Sequence, residues 1–376
     1  MSRATTKTNS QEVIFAIAMW LLSRIVIVAV MQVIPPFLPA AVTQDNASDV
    51  TTGGWLSFSQ WDGNWYRSIV TSGYEFAPDG KQHNVAFFPL YPLLSRAVMS
   101  LGLPFEVAGT LVNNLAFLGA LILLYFWVKE RHGIAAARWA TAVLAWCPFS
   151  IFATVTYTEG LFLLLSTASL RAFEKSQYIW ASVWGAMATA TRVNGVALIP
   201  TFIITAWRER RTAKAYIAAI ATSIGLLSFS IYCAFRFGDP LVFVHAQRGW
   251  QAQTGANWRV WWELLTQDLL FRKGWSTALL ALAKVVTVFG SCYVLWHERN
   301  RLNRVAALYG FSSLAIIFGS GAIKSVERFC YATVSFSIAL GILLNSHPRW
   351  GYAIISLFVL WLVYFSLRFS TGLWVA

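Results

Sequence analysis

Charged side chains are the scarcest feature of this sequence. Only 12% of its 376 residues are charged, whereas 57% are hydrophobic. Soluble domains carry about a quarter charged residues, so the shortage excludes an ordinary soluble domain and predicts an all-α protein with many membrane helices. The charge that is present is mostly positive, with a formal net charge of +13. The basic residues form short clusters between apolar stretches, which is typical of cytoplasmic loops and does not indicate nucleic-acid binding.

Cysteine is also rare, and its spacing excludes two kinds of site. No CxxC pair occurs, and no histidine accompanies a cysteine at the spacing of metal ligands. The sequence therefore supports neither a zinc site nor a disulfide framework. Each cysteine is interpreted as a buried thiol in an apolar segment: Cys147, Cys233, Cys292 and Cys330.

Long apolar runs are abundant. A membrane helix needs about 20 apolar residues, because the hydrocarbon core is about 30 Å thick. The first run is too long for a signal-peptide core, so we expect it to be retained as a signal anchor with a cytoplasmic N-terminus. Together the runs predict about 9–11 membrane helices. The uninterrupted candidates are Val13–Ile34, Val107–Val128, Ile134–Phe152, Glu159–Phe173, Ala215–Phe235, Thr277–Trp296, Val305–Ile323, Phe329–Leu344 and Gly351–Leu367.

One apolar stretch, residues 178–207, is too long for a single crossing and contains Arg192, Asn194 and Gly195 in its middle. Two short helices that meet at these residues would place all the basic loops in the cytoplasm, as the positive-inside rule expects. Non-helical backbone at membrane depth is tolerated only inside protein or beside a wet cavity. The break therefore indicates a cavity, and a continuous kinked helix is the alternative.

This topology places two long segments of a single domain, residues 1–376, on the outer face of the membrane. They are residues 35–105 and residues 237–275. In the second segment, apolar residues recur at the spacing of one helical face, which predicts an amphipathic helix lying in the membrane interface. These residues are Trp258, Trp261, Trp262, Leu265 and Leu269.

Asp62 has an unusual setting in the first outer segment. It lies among large aromatic residues, and the sequence AFFPLYP, residues 86–92, follows it. Two prolines exclude a regular helix through those residues. Because exposed aromatic rings are costly, we expect them to cover a cavity with Asp62 at its edge. Carboxylates in such places are often functional, and an N-cap of the following helix explains Asp62 equally well.

Three other charged residues lie near the outer ends of apolar segments. Helix capping explains Glu159 as well as a functional role does, and Arg192 and Arg328 can each extend to the interface. Two guanidinium groups that converge on an outer cavity would nevertheless suit a phosphate, because their planar fork matches its oxygens.

Several segments resemble the PIG-V family, the second mannosyltransferases of glycosylphosphatidylinositol assembly and their prokaryotic relatives. The resemblance runs from Trp61 to about Tyr331. The chain departs from the family at Val193, where serine is common, and at Phe329 and Cys330, after which relatives often continue toward a proline. The matching segments are WDGNWYRSIVTSGY, NVAFFPLYPLLSR, CPFSIFATVTYTEGLFLLLS, ATATRVNGVAL, DPLVFVHAQRGW and SVERFCYA.

The resemblance implies a GT-C glycosyltransferase fold with its active site beneath the first outer segment. It also implies inverting transfer of a sugar, mannose in the family, from a polyprenyl-phosphate donor. Asp62 would be the general base, and Arg192 and Arg328 would bind the donor phosphate on the opposite side of the sugar. No metal or other cofactor is expected. Substrate contacts are expected from Trp61, Tyr66, His83, Phe88, Tyr91, Glu159, Asn194, Gln247 and Trp250, although a solvated loop histidine is an alternative for His83.

The expected partners are the polyprenyl-phosphate sugar, a lipid or glycan acceptor, the bilayer and an accessory subunit. The expected location is the plasma membrane if the source is prokaryotic, with the active site on the extracytoplasmic face. Two other interpretations stay open: a transporter or flippase of lipid-linked sugars, and a non-catalytic subunit of a glycosylation complex. The lack of an internal repeat and the long one-sided loop favour the enzyme.

Overall fold

The computed structural model describes residues 2–37, 54–250, 258–270, 274–320 and 325–375. Every regular element in these ranges is helical, which confirms the predicted all-α architecture. The α-helices are α1 (Ser2–Val33), α2 (Asp62–Ser72), α3 (Leu90–Met99), α4 (Phe105–Trp146), α5 (Glu159–Glu174), α6 (Tyr178–Thr189), α7 (Leu198–Arg208), α8 (Ala213–Ala221), α9 (Ile224–Phe237), α10 (Val242–Ala246), α11 (Trp258–Glu263), α12 (Trp275–Glu298), α13 (Arg304–Ser320), α14 (Val326–Tyr331), α15 (Val334–Ser346) and α16 (Pro348–Ser370).

Several of these helices are suited to a bilayer, which confirms an integral membrane protein. Five described stretches are long and apolar enough to cross a membrane: Ser10–Phe37, Phe105–Trp146, Ala213–Phe237, Trp275–Glu298 and Pro348–Ser370. Shorter apolar helices accompany them, at Val193–Arg208, Arg304–Gly319 and Val334–Ser346. The number of crossings and the orientation across the membrane stay predictions.

Gly133 divides α4 into two helices. A helix of 42 residues would extend for about 63 Å, roughly twice the hydrocarbon thickness. At Gly133 the backbone takes a φ of 80°, which glycine adopts without a steric penalty. The break falls between the two helices predicted at Val107–Val128 and Ile134–Phe152. The second helix ends at Trp146, earlier than predicted, because Pro148 begins a 3-10 turn over Pro148–Ala153.

The predicted break near Arg192 is present, and the alternative of a continuous kinked helix is wrong. Helix α6 ends at Thr189, Arg192 is extended with a φ of −152°, and a 3-10 turn over Val193–Ala197 leads into α7. Gly195 is required in this turn, because a Cβ atom there would lie 2.8 Å from the backbone nitrogen of Thr189.

The amphipathic outer helix is shorter than predicted. α11 covers Trp258–Glu263 and continues as a π-helical turn over Leu264–Asp268. Trp261 packs on Phe289 and Phe318, with ring centroids 6.1 Å apart in both cases, whereas Trp262 is exposed. The side chains of Trp258 and Leu265 lie outside the described residues, so the interfacial position of this helix stays a prediction.

Arg24 fixes the turn that leads to the N-terminal end of α5. It lies buried in α1 and donates hydrogen bonds from Nη1 to the Ser150 carbonyl and from Nη2 to Ser150 Oγ, both 3.1 Å long. Its guanidinium also lies 4.7 Å from the ring centre of Phe117. Its Nη2 also donates to the Ala145 carbonyl at 3.4 Å, so a carbonyl that is left free at the C-terminal end of α4 gains a donor.

We expect Gly341→Ala to destabilise the fold, because α15 crosses α4 closely at this glycine. An added Cβ would lie 2.5 Å from the Ala140 backbone, and such overpacking costs about 1–3 kcal/mol. Gly290→Ala in α12 is the matched control, since no atom lies within 4 Å of the added Cβ. Thermal unfolding in detergent checks this. A midpoint for Gly341→Ala at or above that of the control would contradict the close crossing.

Candidate active site

Asp62 is the first residue of α2. Its backbone N–H donates to the Tyr157 hydroxyl at 3.2 Å, and its Oδ2 accepts a hydrogen bond from Arg328 Nη1 at 2.7 Å. Its side chain is only 14% exposed. Trp61 occupies the N-cap position, so the alternative that Asp62 is an N-cap is wrong. Its carboxylate instead pairs with Arg328, which lies 266 positions later in the sequence.

Glu159 joins the two arginines. Its Oε1 lies 2.8 Å from Arg328 Nε and 2.6 Å from Arg192 Nη1. Glu159 is fully buried, and its Oε2 accepts a hydrogen bond from the Thr158 backbone N–H at 3.1 Å. The four side chains thus form one chain of contacts, which we call the charge network: Asp62, Arg328, Glu159 and Arg192.

The charge network is electrically balanced and lies among aromatic rings. Two carboxylates and two guanidinium groups cancel in formal charge, which a buried site requires because an unpaired ion is costly there. The Arg328 guanidinium lies 4.5 Å from the ring centre of Tyr157 and 4.8 Å from that of Phe152. The Arg192 guanidinium lies 5.3 Å from the ring centre of Phe329.

The position of Arg328 differs from the prediction. Arg328 was expected across the sugar from Asp62, but its guanidinium bonds Asp62 directly. Arg192 has no direct contact with Asp62 and reaches it only through Glu159 and Arg328. The roles of both arginines in phosphate binding stay predictions.

Part of the predicted aromatic cover lies beside α2. Tyr66 packs edge to face on Tyr91 and Phe87, with ring centroids 4.9 Å and 5.0 Å apart. Trp250 packs on Phe87 at 5.4 Å, and Gln247 Nε2 donates to the Ala86 carbonyl at 3.4 Å. Two segments that are far apart in sequence, both predicted to lie on the outer face, therefore meet over the residues that follow Asp62.

Two predicted substrate-binding residues lie outside these contacts. Phe88 packs in a second cluster, on Phe229 at 5.2 Å and Phe243 at 5.5 Å. Asn194 makes no side-chain hydrogen bond to any residue in the described ranges. Their contacts with substrate stay predictions.

His83 contacts Asp79 in the segment predicted to lie on the outer face. Its Nε2 lies 2.7 Å from Asp79 Oδ1, and this hydrogen bond is the main reason that the pKa of Asp79 is lowered. The imidazole is only 13% exposed and packs on Phe76 with ring centroids 5.5 Å apart, which does not fit the alternative of a solvated loop histidine. Substrate binding by His83 stays a prediction.

Tyr157 and Trp374 also line the surroundings of Asp62, and the sequence reasoning missed both. Tyr157 lies in the TYTEG segment, where only Glu159 was singled out. Trp374 packs on Trp61 with ring centroids 5.1 Å apart, and nothing in the local sequence around Trp374 indicates this contact.

The described residues offer little for a metal ion. No group of three His, Cys, Asp or Glu side chains comes together in the described ranges. Asp62 and Glu159 both contact Arg328, whose positive charge disfavours a cation between them. Metal independence of the chemistry stays a prediction.

Comparison with known proteins places the chain in a family. Residues 17–243 match the model described as mannosyltransferase (PIG-V). The chain belongs to this family. It is 27% identical to GPI alpha-1,6-mannosyltransferase 2 of Homo sapiens over 177 residues, and 26% identical to that of Cricetulus griseus over 179 residues. Each match covers 44% of this chain and 34% of the relative, so the matched part of the chain spans about a third of the length of these curated relatives.

Solved structures share the PIG-V chain's fold at low sequence identity. ArnT from Cupriavidus metallidurans bound to undecaprenyl phosphate aligns with a TM-score of 0.57 and 13% identity, over 92% of this chain and 62% of ArnT. The apo oligosaccharyltransferase of Archaeoglobus fulgidus aligns with a TM-score of 0.51 and 11% identity, over 96% of this chain and 56% of the oligosaccharyltransferase. Both are GT-C glycosyltransferases, which confirms the predicted fold class.

We expect Glu159→Gln to unfold at a much lower temperature than the wild type. Loss of this charge leaves two buried guanidinium groups with one carboxylate, and breaking a buried pair costs about 3–5 kcal/mol. Glu209→Gln is the control, because Glu209 pairs with Arg211 and Arg304 near the surface, where a pair is worth about 0–1 kcal/mol. Equal unfolding midpoints for the two variants in detergent would contradict the charge network.

Proposed function

We propose that this PIG-V family chain is an inverting glycosyltransferase. It moves a sugar, which we expect to be mannose, from a polyprenyl-phosphate donor to a lipid or glycan acceptor on the outer face of the membrane. Family membership and the GT-C fold support this class of reaction. The observation that carries the proposal is the placement of Asp62, a largely buried carboxylate fixed by Arg328 at the edge of an aromatic cover.

Asp62 has the geometry of a general base. Oδ2 is held by Arg328, whereas Oδ1 has no hydrogen-bond partner among the described residues. We assign Oδ1 to the acceptor hydroxyl, from which it takes the proton as that oxygen bonds to the anomeric carbon. The bond from the anomeric carbon to the phosphate oxygen breaks on the opposite face, and the electron pair leaves with the polyprenyl phosphate.

The arginines have donors left for the leaving phosphate. Arg192 Nη1 contacts Glu159. Arg328 Nε donates to Glu159, and Arg328 Nη1 donates to Asp62. In both residues Nη2 has no partner among the described residues. A phosphate that bridges the two Nη2 groups would receive charge-assisted hydrogen bonds where negative charge develops, which lowers the barrier.

A cavity beside α2 suits the prenyl chain of the donor. It has a volume of about 580 Å³ and lies between α2, α3, α6 and α9. Its lining includes Val70 in the helix that begins at Asp62, and Ala190, which precedes Arg192 by two residues. Arg96 lines the same cavity, is exposed and makes no ion pair with any residue that the structure describes. A cavity with apolar walls and the Arg96 guanidinium in its lining matches the chemistry of a prenyl phosphate, which has an apolar chain and an anionic end.

We expect Asp62→Asn to retain donor binding and to lose turnover about a thousandfold or more. The amide keeps the size of the side chain but does not accept the proton, and each factor of ten corresponds to about 1.36 kcal/mol of barrier. Glu75→Gln in the same outer segment is the control, because the Glu75 side chain is exposed, and it is expected to keep full turnover. The measurement is release of polyprenyl phosphate from radiolabelled polyprenyl-phosphate mannose by membranes that contain each variant.

The same assay separates the other interpretations. Retained turnover in Asp62→Asn would remove Asp62 from the role of base. Movement of label across the membrane without bond cleavage would favour a flippase, and wild-type membranes that neither cleave nor move the donor would favour a non-catalytic subunit. A panel of polyprenyl-phosphate sugars tests the expectation of mannose.

A further inference from the structure

The segment that follows α16 packs against the surroundings of Asp62. Trp374 meets Trp61, the residue before Asp62, edge to face with ring centroids 5.1 Å apart. Phe369 packs on Tyr157 at 5.8 Å, and the Tyr157 hydroxyl accepts the Asp62 backbone N–H. The last turn of α16 and the segment that follows it therefore contact two aromatic residues that adjoin the carboxylate.

Trp374 is held firmly in this position. Its carbonyl accepts two hydrogen bonds from Arg368, from Nε at 3.1 Å and from Nη2 at 2.9 Å. Arg368 Nη1 also lies 3.3 Å from the Tyr364 hydroxyl, and Val375 is buried. A ring on a fixed backbone loses little conformational freedom when a ligand binds, which favours binding.

Trp61 adopts a conformation that is unusual for its size. Its φ is +54°, a region that bulky residues rarely occupy, and 38% of its surface is exposed. Strained backbone of this kind persists where the surrounding structure enforces it, and such positions cluster at functional sites. The contact with Trp374 leaves more than a third of Trp61 exposed next to Asp62, so core packing alone does not account for the ring.

We propose that Trp61 and Trp374 form a saccharide-binding site, and that the acceptor presents a hexose ring there beside Asp62. The C–H bonds on one side of a sugar ring carry partial positive charge and pack on the negative face of an aromatic ring, while the hydroxyl groups stay hydrated. Two partly exposed tryptophans fit such a ligand. This inference deepens the proposed function and rests on it, because it specifies a sugar as the group that Asp62 activates.

A photoreactive octyl mannoside with a diazirine on the sugar tests the site in the full-length protein in nanodiscs. We expect the label on peptides that contain Trp61 and Trp374, and we expect unlabelled octyl mannoside to compete. Trp374→Ala is expected to lower labelling about fivefold, the loss of one aromatic contact. Trp374→Phe keeps a ring and is expected to retain most of the label.

Two controls keep the result specific. Trp350→Ala removes an exposed tryptophan at the other end of α16 and is expected to leave labelling unchanged. Arg368→Gln removes the hydrogen bonds to the Trp374 carbonyl without altering the ring, and it is expected to lower labelling. This second variant tests the site even if Trp374→Ala fails to fold. Equal labelling of Trp374→Ala and Trp350→Ala, or equal labelling by a sugar-free octyl diazirine, would overturn the site. Label at Trp374 with no sugar transfer from any donor would contradict the proposed function and support the site.

Discussion

The Arg328 guanidinium lies between two carboxylates, Asp62 and Glu159, in surroundings that are largely aromatic. In such surroundings an isolated ion is costly, and only close pairing with matched hydrogen bonds offsets the loss of water. Arg192 supplies the second positive charge, so that the formal charges cancel. Because this balance depends on every member, the position of each charge is fixed by the others. The catalytic carboxylate that we propose is therefore held by electrostatics as much as by packing.

The charge network comes from a helix break, the first residues of two helices and one short helix, because Asp62 begins α2 and Glu159 begins α5. Arg192 lies in the extended residues between α6 and α7, and Glu159 follows the turn that Arg24 holds. Arg328 lies in the short helix α14. Broken helices are costly in a membrane unless their free backbone groups are satisfied by protein, and here the breaks present charged side chains to one place. This explains why the interruptions in the apolar pattern coincide with the residues of the site.

Much of this arrangement could be predicted from the sequence, and the limits have physical causes. The lengths of the apolar runs predicted two helices where α4 divides, and the overlong apolar stretch with Arg192, Asn194 and Gly195 in its middle predicted the break near Arg192. The rarity of charge singled out all four members of the network. The pairing within the network was not predictable, because Asp62 and Arg328 are 266 positions apart and no local spacing relates them. The contact of Trp374 with Trp61 was not predictable either, because a tryptophan near the end of an apolar helix is typical of interface anchoring.

The most direct test of the account is a structure of the protein in nanodiscs with a bound polyprenyl phosphate, determined by electron cryomicroscopy. The account predicts phosphate oxygens at about 2.7–3.2 Å from Nη2 of both Arg192 and Arg328, with Arg328 still bonded to Asp62 and the prenyl chain in the cavity between α2, α3, α6 and α9. Phosphate density remote from these arginines, or an Asp62 carboxylate turned away from Arg328 into solvent, would contradict it.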